Sequence, residues 1–372
     1  MKPTNENELA EMVAGSVGPL SICGGGTRGI VRPGDALSVA ELSGITLYEP
    51  GALTMVAQAG TPIAEIEKAL AKESQRLAFE PIDHRGVLGT KGKPTIGGVF
   101  AANVSGPRRI AVGAARDFLL GVRFVDGRGE VIKNGGRVMK NVTGYDLVKL
   151  MAGSFGTLGV LSEVSLKVLP QPETQATLVL NGLHDASAVQ ALSQAMGSPF
   201  EVTGAAHDPA TAQTMLRVEG FEASVQYRIG RLRDLLTAHN AETDVLEAAA
   251  SQSLWTDLRD VKAFQNLDGD VWRVSCKPSA APKLASRAGA TAHYFDWAGG
   301  LIWLRMAAGS DLRSRLGGFD GHATLVRSAP ETRLSLGVFH PEPTGVARIA
   351  AGLRARFDPK GLLNAGLMDA PS

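Results

Sequence analysis

The run Cys-Gly-Gly-Gly-Thr-Arg-Gly at residues 23–29 constrains this chain more than any other feature. It follows a short apolar stretch, residues 20–23, that reads as a strand. Consecutive glycines carry no Cβ, so the backbone can turn sharply and its amides can converge on one concavity, where phosphate oxygens bind without side-chain interference. No Gly-Lys-Ser/Thr follows, which excludes a Walker A loop. The spacing is also not a G-x-G-x-x-G opening a helix, which excludes a Rossmann turn. Alone, the run fits a tight turn as well as a phosphate cradle. Cys23 abuts the loop with no base nearby in sequence, which argues against a nucleophile.

A second cluster, PTIGGVFAANVSG at residues 94–106, is followed by Pro107-Arg108-Arg109 and by GAARD at 113–117. Gly97, Gly98, Ala101 and Ala102 are small enough for a flat ring or a ribose to approach closely, and Asn103 and Ser105 can donate hydrogen bonds to ring carbonyls. Arg108 and Arg109 are neighbours, so in extended structure they point opposite ways and at most one faces any site there, the other being a solvated arginine, as either can be. The stretch 137–170, RVMKNVTGYDLVKLMAGSFGTLGVLSEVSLKVLP, adds a helix and a strand. Leu147, Leu150 and Met151 share a helix face that stops near Gly153. Val164, Leu166 and Val168 alternate with Glu163, Ser165 and Lys167, as in a half-buried strand. Lys140, Asn141 and Tyr145 within KNVTGYD read as packing residues.

The remaining pattern divides the chain. Residues 1–172 alternate short strands, glycine turns and amphipathic helices. Thr61 reads as the N-cap of a helix carrying Ile63, Ile66 and Leu70, with Pro62 in its first turn. Residues 121–132 read as a hairpin turning at Asp126-Gly127. Two prolines, Pro170 and Pro172, mark the exit. Residues 173–340 read as a small sheet covered by helices, with Val225, Ile229, Leu232 and Leu236 on one helix and residues 301–304 as an apolar strand. Residues 341–372 hold a last helix (Val346, Ile349, Leu353, Phe357) and then FDPKGLLNAG at 357–366.

Composition closes off several function classes. The chain has 372 residues, 44% hydrophobic and 20% charged, enough for two domains and a large core. A net charge of +1 gives no electrostatic reason to bind nucleic acid or an anionic membrane. The 2 cysteines, Cys23 and Cys276, form no CxxC, so neither a disulfide scaffold nor an iron–sulfur cluster held by this chain is expected. The polar start MKPTNENELAEM is not a secretory signal, and no apolar run reaches the ~20 residues of a membrane span. These features predict a cytoplasmic protein.

In order, CGGGTRG, FEPIDH at 79–84, TIGGVFAANVSGPRR, GAARDFLLGV, VMKNVTGYDLVKLMAG, GTLGVLSEVSLKVLP and FDPKGLLNAG resemble the FAD-linked oxidase family with a PCMH-type (vanillyl-alcohol oxidase-like) FAD domain. The SGPRR segment and the short length are more similar to the FAD-binding subunits of bacterial glycolate oxidase than to the larger catalytic subunits. The likeness is dense over the first half and thin over the second, where FDWAGGLIWLR at 295–305 and GHATLVR at 321–327 carry it.

The resemblance implies an α+β fold: a two-subdomain PCMH-type FAD-binding domain (1–172), a smaller α+β cap domain (173–340) and a C-terminal segment (341–372) returning to the FAD site. It implies that Gly24, Gly25, Gly26 and Thr27 cradle the pyrophosphate, and that Ile96, Gly97, Gly98, Asn103, Ser105 and Gly106 line the flavin and ribityl chain. Gly159 and Val160 would contact the adenine side or ring edge, and Asn364 would return to the flavin. Covalent relatives place a histidine in the glycine loop; Gly26-Thr27-Arg28 here implies non-covalent FAD. Phe155 stands where the family's GSEGTLG has an acid. Relatives that oxidise 2-hydroxy acids at their own site carry a paired-histidine metal motif, and no H-x-H or H-x-x-H occurs here, so no metal site is expected. The implied partners are a second flavoprotein subunit and an iron–sulfur subunit, with association to the inner membrane through them.

Oxidising a 2-hydroxy acid needs a cation for the carboxylate, a base for the hydroxyl proton and an electron acceptor beside the α-carbon. Arg305, Arg327 and Arg109 are candidate cations, and His322, His340 and His84 candidate bases. His322 leads because GHATLVR places it on a strand able to face the flavin; the catalytic set expected is His322, Arg327 and Arg305. The expected function is glycolate oxidation to glyoxylate with electrons passing to an iron–sulfur partner. A stand-alone FAD-dependent D-2-hydroxy-acid dehydrogenase and a non-catalytic, flavin-bearing structural subunit are the alternatives.

Overall fold

Residues 1–30, 32–138 and 144–369 are described by a computed structural model of the chain. Lys140 and Asn141 lie outside these residues. The strand Leu20–Cys23 pairs in parallel with Asp35–Ser38, and Leu363 bridges back to Leu20. Leu9, Val13, Leu20, Leu37, Val160, Leu362 and Leu363 close one apolar cluster there. The C-terminal segment is therefore packed into the first subdomain.

A five-stranded antiparallel sheet forms the second subdomain, in the order Ile45–Glu49, Thr54–Gln58, Val160–Lys167, Leu119–Val125 and Val131–Gly135. The alternation of residues 163–168 is realised, with Val164, Leu166 and Val168 all fully buried. The hairpin turns at Asp126, whose carboxylate accepts from the amides of Arg128 and Glu130. The helix Ile63–Ala71 buries Ile63, Ile66 and Leu70. Thr61 is not its cap: its hydroxyl donates towards Gln58 and Gly44 carbonyls, and Pro62 occupies the cap position. Tyr145 is exposed rather than packed; its carbonyl accepts from Asn134 Nδ2 while its side chain faces outwards.

Residues 174–327 build an eight-stranded sheet, antiparallel throughout, ordered Glu242–Glu247, Thr174–Asn181, Gln213–Gly220, Gly204–Asp208, Ala292–Asp296, Leu301–Met306, Asp270–Cys276 and Gly321–Arg327. The strand Leu301–Met306 shows why it reads as continuously apolar. Leu301 and Trp303 join the core of the first domain, while Ile302, Leu304 and Met306 pack on the helices Ala281–Ala288 and Leu312–Leu316. Successive side chains point to opposite faces, and both faces are covered. The last helix, Thr344–Phe357, buries no residue fully and leaves Val346 and Ile349 exposed. Among the described residues no helix is long and apolar enough to cross a membrane.

Candidate active site

The glycine loop leaves the strand Leu20–Cys23 and faces the segment 93–102. Its glycines have different causes. A Cβ on Gly25 would stand 1.7 Å from the Lys93 carbonyl oxygen, so Gly25 is required by the approach of one loop to another. Gly26 meets nothing within 4 Å but has φ +69°, the left-handed region that L side chains avoid. Among the described residues no group accepts a hydrogen bond from the amides of residues 24–29. Buried or half-buried amides without acceptors are rare in folded chains. The loop that carries them lines a cavity of about 950 Å³ together with Gly97, Gly98, Gly159, Val160 and Asn364. A row of free amides is the donor set a pyrophosphate uses, and these residues fit the FAD expected there.

Asn364 locks the C-terminal segment to this cavity. Its Oδ1 accepts from the Ile22 amide at 2.8 Å and its Nδ2 donates to the Phe155 carbonyl at 2.8 Å. Both sides of the side chain are therefore engaged by the protein. Phe155 has φ +52°, and its ring meets Phe339 edge-on with centroids 4.7 Å apart. The position where the family carries an acid is thus an aromatic wall.

A second cavity, about 1310 Å³, shares Arg28, Ile30, Ile82, His84, Ala102 and Phe155 with the first. Asn103 and Ser105 line it. Asn103 Oδ1 accepts from the Arg116 amide and Ser105 Oγ from the Ala115 amide, which leaves Nδ2 and the hydroxyl proton as donors. Ile96 and Gly106 line neither cavity. Ile96 is fully buried, with its amide on the Thr61 carbonyl. A Cβ on Gly106 would meet the Glu80 carbonyl at 2.3 Å, and the Gly106 carbonyl accepts from the Trp297 indole. Both are packing positions.

The lining of the second cavity is cationic. Arg28, Arg109, Arg273 and Arg333 reach it, together with His84 and His322, and no Asp or Glu is among its lining residues. Desolvation, with the charge of Arg273, lowers Arg28 to about 10; desolvation and Arg109 lower Arg273 to about 10. Burial first, then Arg28, pushes His84 down to about 3, so its ring is neutral. His322, at the solvent-facing end of Gly321–Arg327, is lowered by desolvation and then by Arg273, His340 and Arg109. A neutral imidazole at pH 7 can accept a proton.

Of the three residues expected to be catalytic, the structure brings only His322 to this cavity. Arg327 is held on the carbonyls of Val87, Phe264, Leu267 and Gly269, and Arg305 donates to the Asp268 carbonyl. Arg327 is turned away from the second cavity because five hydrogen bonds to these four carbonyls hold its guanidinium. His340 accepts from the Ala323 amide and lies outside both cavities. Arg28 and Trp297 lie within the CGGGTRG and FDWAGGLIWLR motifs but were not singled out there as site residues, and Arg273 and Arg333 lie in segments that no motif marks. Among the described residues no group of three or more His, Cys, Asp or Glu side chains is arranged to hold a metal ion.

Trp297 is the fixed point of the cavity wall. It is 8% exposed, its Nε1 donates to Gly106 at 3.0 Å, and its amide donates to Asp296 Oδ1 at 2.7 Å. Trp297 and Ala298 have φ of 53° and 56°. Two consecutive non-glycine residues in that region cost about 1–3 kcal/mol each and persist only where the surroundings over-determine them. Burial and the neighbouring Glu80 raise Asp296 to about 7.

Residues 1–135 match the family described as an FAD binding domain. The chain is 36% identical to the glycolate oxidase subunit GlcE of Escherichia coli, over 95% of this chain and 93% of that protein. It is 36% identical to the glycolate oxidase subunit GlcD of Bacillus subtilis, over 34% of this chain and 26% of that protein. A D-lactate dehydrogenase of Anaerostipes hadrus is 31% identical over 48% of this chain and 35% of its own length. In fold, the chain is similar to a 4-ethylphenol oxidase from Gulosibacter chungangensis, with TM-score 0.71 and 13% identity over 98% of this chain and 88% of that one. It is also similar to a VAO-type flavoprotein from Myceliophthora thermophila, with TM-score 0.66 and 12% identity over 96% of this chain and 76% of that one.

Proposed function

The chain belongs to the family of the glycolate oxidase subunit GlcE, FAD-linked oxidoreductases with a PCMH-type FAD domain, and from that premise we propose that it is the FAD-binding subunit of a glycolate-oxidising complex. The observation that carries the reading is the surplus of cations, without a lining carboxylate, in a cavity that opens directly onto the glycine-loop cavity. Such a wall favours a small anion beside the cofactor.

FAD, when bound, supplies the two-electron acceptor. The amides of residues 24–29 hold the dinucleotide's pyrophosphate. Asn103 Nδ2 and the Ser105 hydroxyl orient groups in the second cavity. His322 takes the hydroxyl proton of the 2-hydroxy acid at its free ring nitrogen. Phe155 and Phe339 exclude water from the junction of the two cavities. Electrons leave to an iron–sulfur subunit, with a second flavoprotein subunit in the same complex.

The test is anaerobic visible spectroscopy of the FAD-loaded chain, before and after glycolate. Bleaching of the flavin band supports a complete oxidation site in this chain. A band that stays oxidised until partner subunits are added supports a subunit that completes its site on assembly. A band unmoved by glycolate under both conditions overturns the proposal.

A further inference from the structure

We propose that Arg109 and Arg273, both packed on the indole of Trp297, form the clamp for the substrate's carboxylate, with Trp297 as the positioning residue of the pair; this rests on the reading that the second cavity receives a hydroxy acid.

The two guanidinium carbons lie 4.8 and 4.9 Å from the Trp297 ring centroid. A cation–π contact uses the ring's negative face. It leaves the in-plane N–H donors of each guanidinium free, and those are the donors that match a carboxylate. Among the described residues neither side chain makes a hydrogen bond or an ion pair with the protein. Both line the second cavity, as do His322 and Thr324.

A second stack in the same molecule shows that the contact alone does not require a ligand. Arg217 lies 4.8 Å from the Trp255 centroid, but its guanidinium is also held by Glu80 at 2.9 Å. That guanidinium is in direct contact with a carboxylate, whereas among the described residues the two on Trp297 have Asp296 and Asp117 in the neighbourhood but no ion pair with either. The indole on the cavity side is tethered at both its Nε1 and its amide, in a backbone region that only a determined surrounding sustains.

The clamp also spans two parts of the fold. Arg109 opens the short helix Arg109–Val112 of the first domain, and Arg273 sits on the strand Asp270–Cys276 of the cap sheet. Trp297 follows the strand Ala292–Asp296, so the cap supplies the ring and one cation while the first domain supplies the other.

The experiment titrates FAD-loaded protein with oxalate, a carboxylate probe with no α-hydrogen, and reads the perturbation of the flavin spectrum. Arg273→Met and Arg109→Met each weaken oxalate binding by about tenfold to a hundredfold, the size of a charge-assisted hydrogen-bond set. Trp297→Leu weakens it by roughly tenfold, and Trp297→Phe, which restores an aromatic face, recovers most of the loss. FAD content reports folding in every variant, and Arg327→Met, outside the cavity, leaves oxalate affinity unchanged. Oxalate affinity within twofold of the parent in both arginine variants, with FAD retained and glycolate or D-lactate still bleaching the parent, overturns the clamp alone. A parent flavin that neither oxalate perturbs nor any hydroxy acid bleaches, alone or with partner subunits, overturns the underlying reading and the clamp with it.

Discussion

Arg108 and Arg109 are adjacent in sequence and meet opposite fates. Arg108 turns to the far side of the domain junction, where Nε bonds Glu219 at 2.7 Å in a cluster with Arg76, Arg217 and Glu80. Arg109 turns to the second cavity and meets an indole, with the charges of Arg116 and Asp117 near it but no ion pair among the described residues. The first cluster is tied together by ion pairs, three arginines on two carboxylates; the second is a cationic wall with no ion pair of its own among the described residues. Buried charges hold a fold together when they are paired, and they hold a ligand when they are not. A neutral composition therefore conceals a strongly polarised junction.

The largest effect is expected on the unpaired side. His322→Gln lowers the rate of anaerobic flavin reduction by glycolate, in the chain or the assembled complex, by roughly 10²–10⁴, the usual worth of a positioned general base. FAD content stays unchanged. Because the ring's pKa is held below 6.5, the proton-accepting form dominates at pH 7 and the parent's rate falls as pH drops through that lowered value. The variant loses this acid limb. An acid limb that persists unchanged in the His322→Gln variant removes His322 from the role.

The paired side should answer in stability instead. Glu219→Gln leaves Arg76, Arg108 and Arg217 without their shared carboxylate and costs about 3–5 kcal/mol in denaturant unfolding. Burial opposes the ionised form, but the three arginines outweigh it and hold the Glu219 pKa well below its ordinary 4.5. The folded pKa is depressed, so this stability is present above 4.5 and is lost as pH falls; the variant flattens that acid loss. Per molecule of bound FAD, oxalate binding is unchanged. Equal damage to ligand binding and stability would erase the distinction between the two sides.

Arg327→Met gives a smaller effect on the same axis. Four carbonyls lose their donor, and unfolding stability drops by about 2–3 kcal/mol while the rate of flavin reduction per folded molecule is kept. Loss of the reduction rate with stability intact would return Arg327 to the catalytic set.

The difference between the two sides also explains what was legible in the sequence. Local rules found the strand before the glycine loop, the helix Ile63–Ala71, the hairpin at Asp126 and the alternation of Val164, Leu166 and Val168, because periodicity and turn chemistry act within a few residues. The order of motifs identified the family and its FAD. The clamp was not legible: Arg273 and Trp297 meet Arg109 only through the eight-stranded sheet, and no spacing records which face of that sheet an arginine takes. Arg327 was misplaced for the same reason, since it shares a strand with His322 but turns to the loop carbonyls at the far end. Thr61, a good cap by type, was diverted by a tertiary partner at Gly44.

The smallest expected effect separates two reasons for glycine in one loop. A methyl on Gly26 would point into open space, so Gly26→Ala adds no clash and carries only the left-handed backbone cost of about 1–2 kcal/mol. Gly25→Ala drives a methyl to 1.7 Å from the Lys93 carbonyl oxygen, so the loop must move and its amide row moves with it. FAD titration by fluorescence quenching should then show Gly26→Ala binding within roughly tenfold of the parent, consistent with that cost. Gly25→Ala should bind far more weakly while retaining its cap-domain fold by circular dichroism. The reverse order would mean that the methyl at Gly26 strikes the cofactor itself, and that the pyrophosphate lies against the loop's apex rather than along its amides.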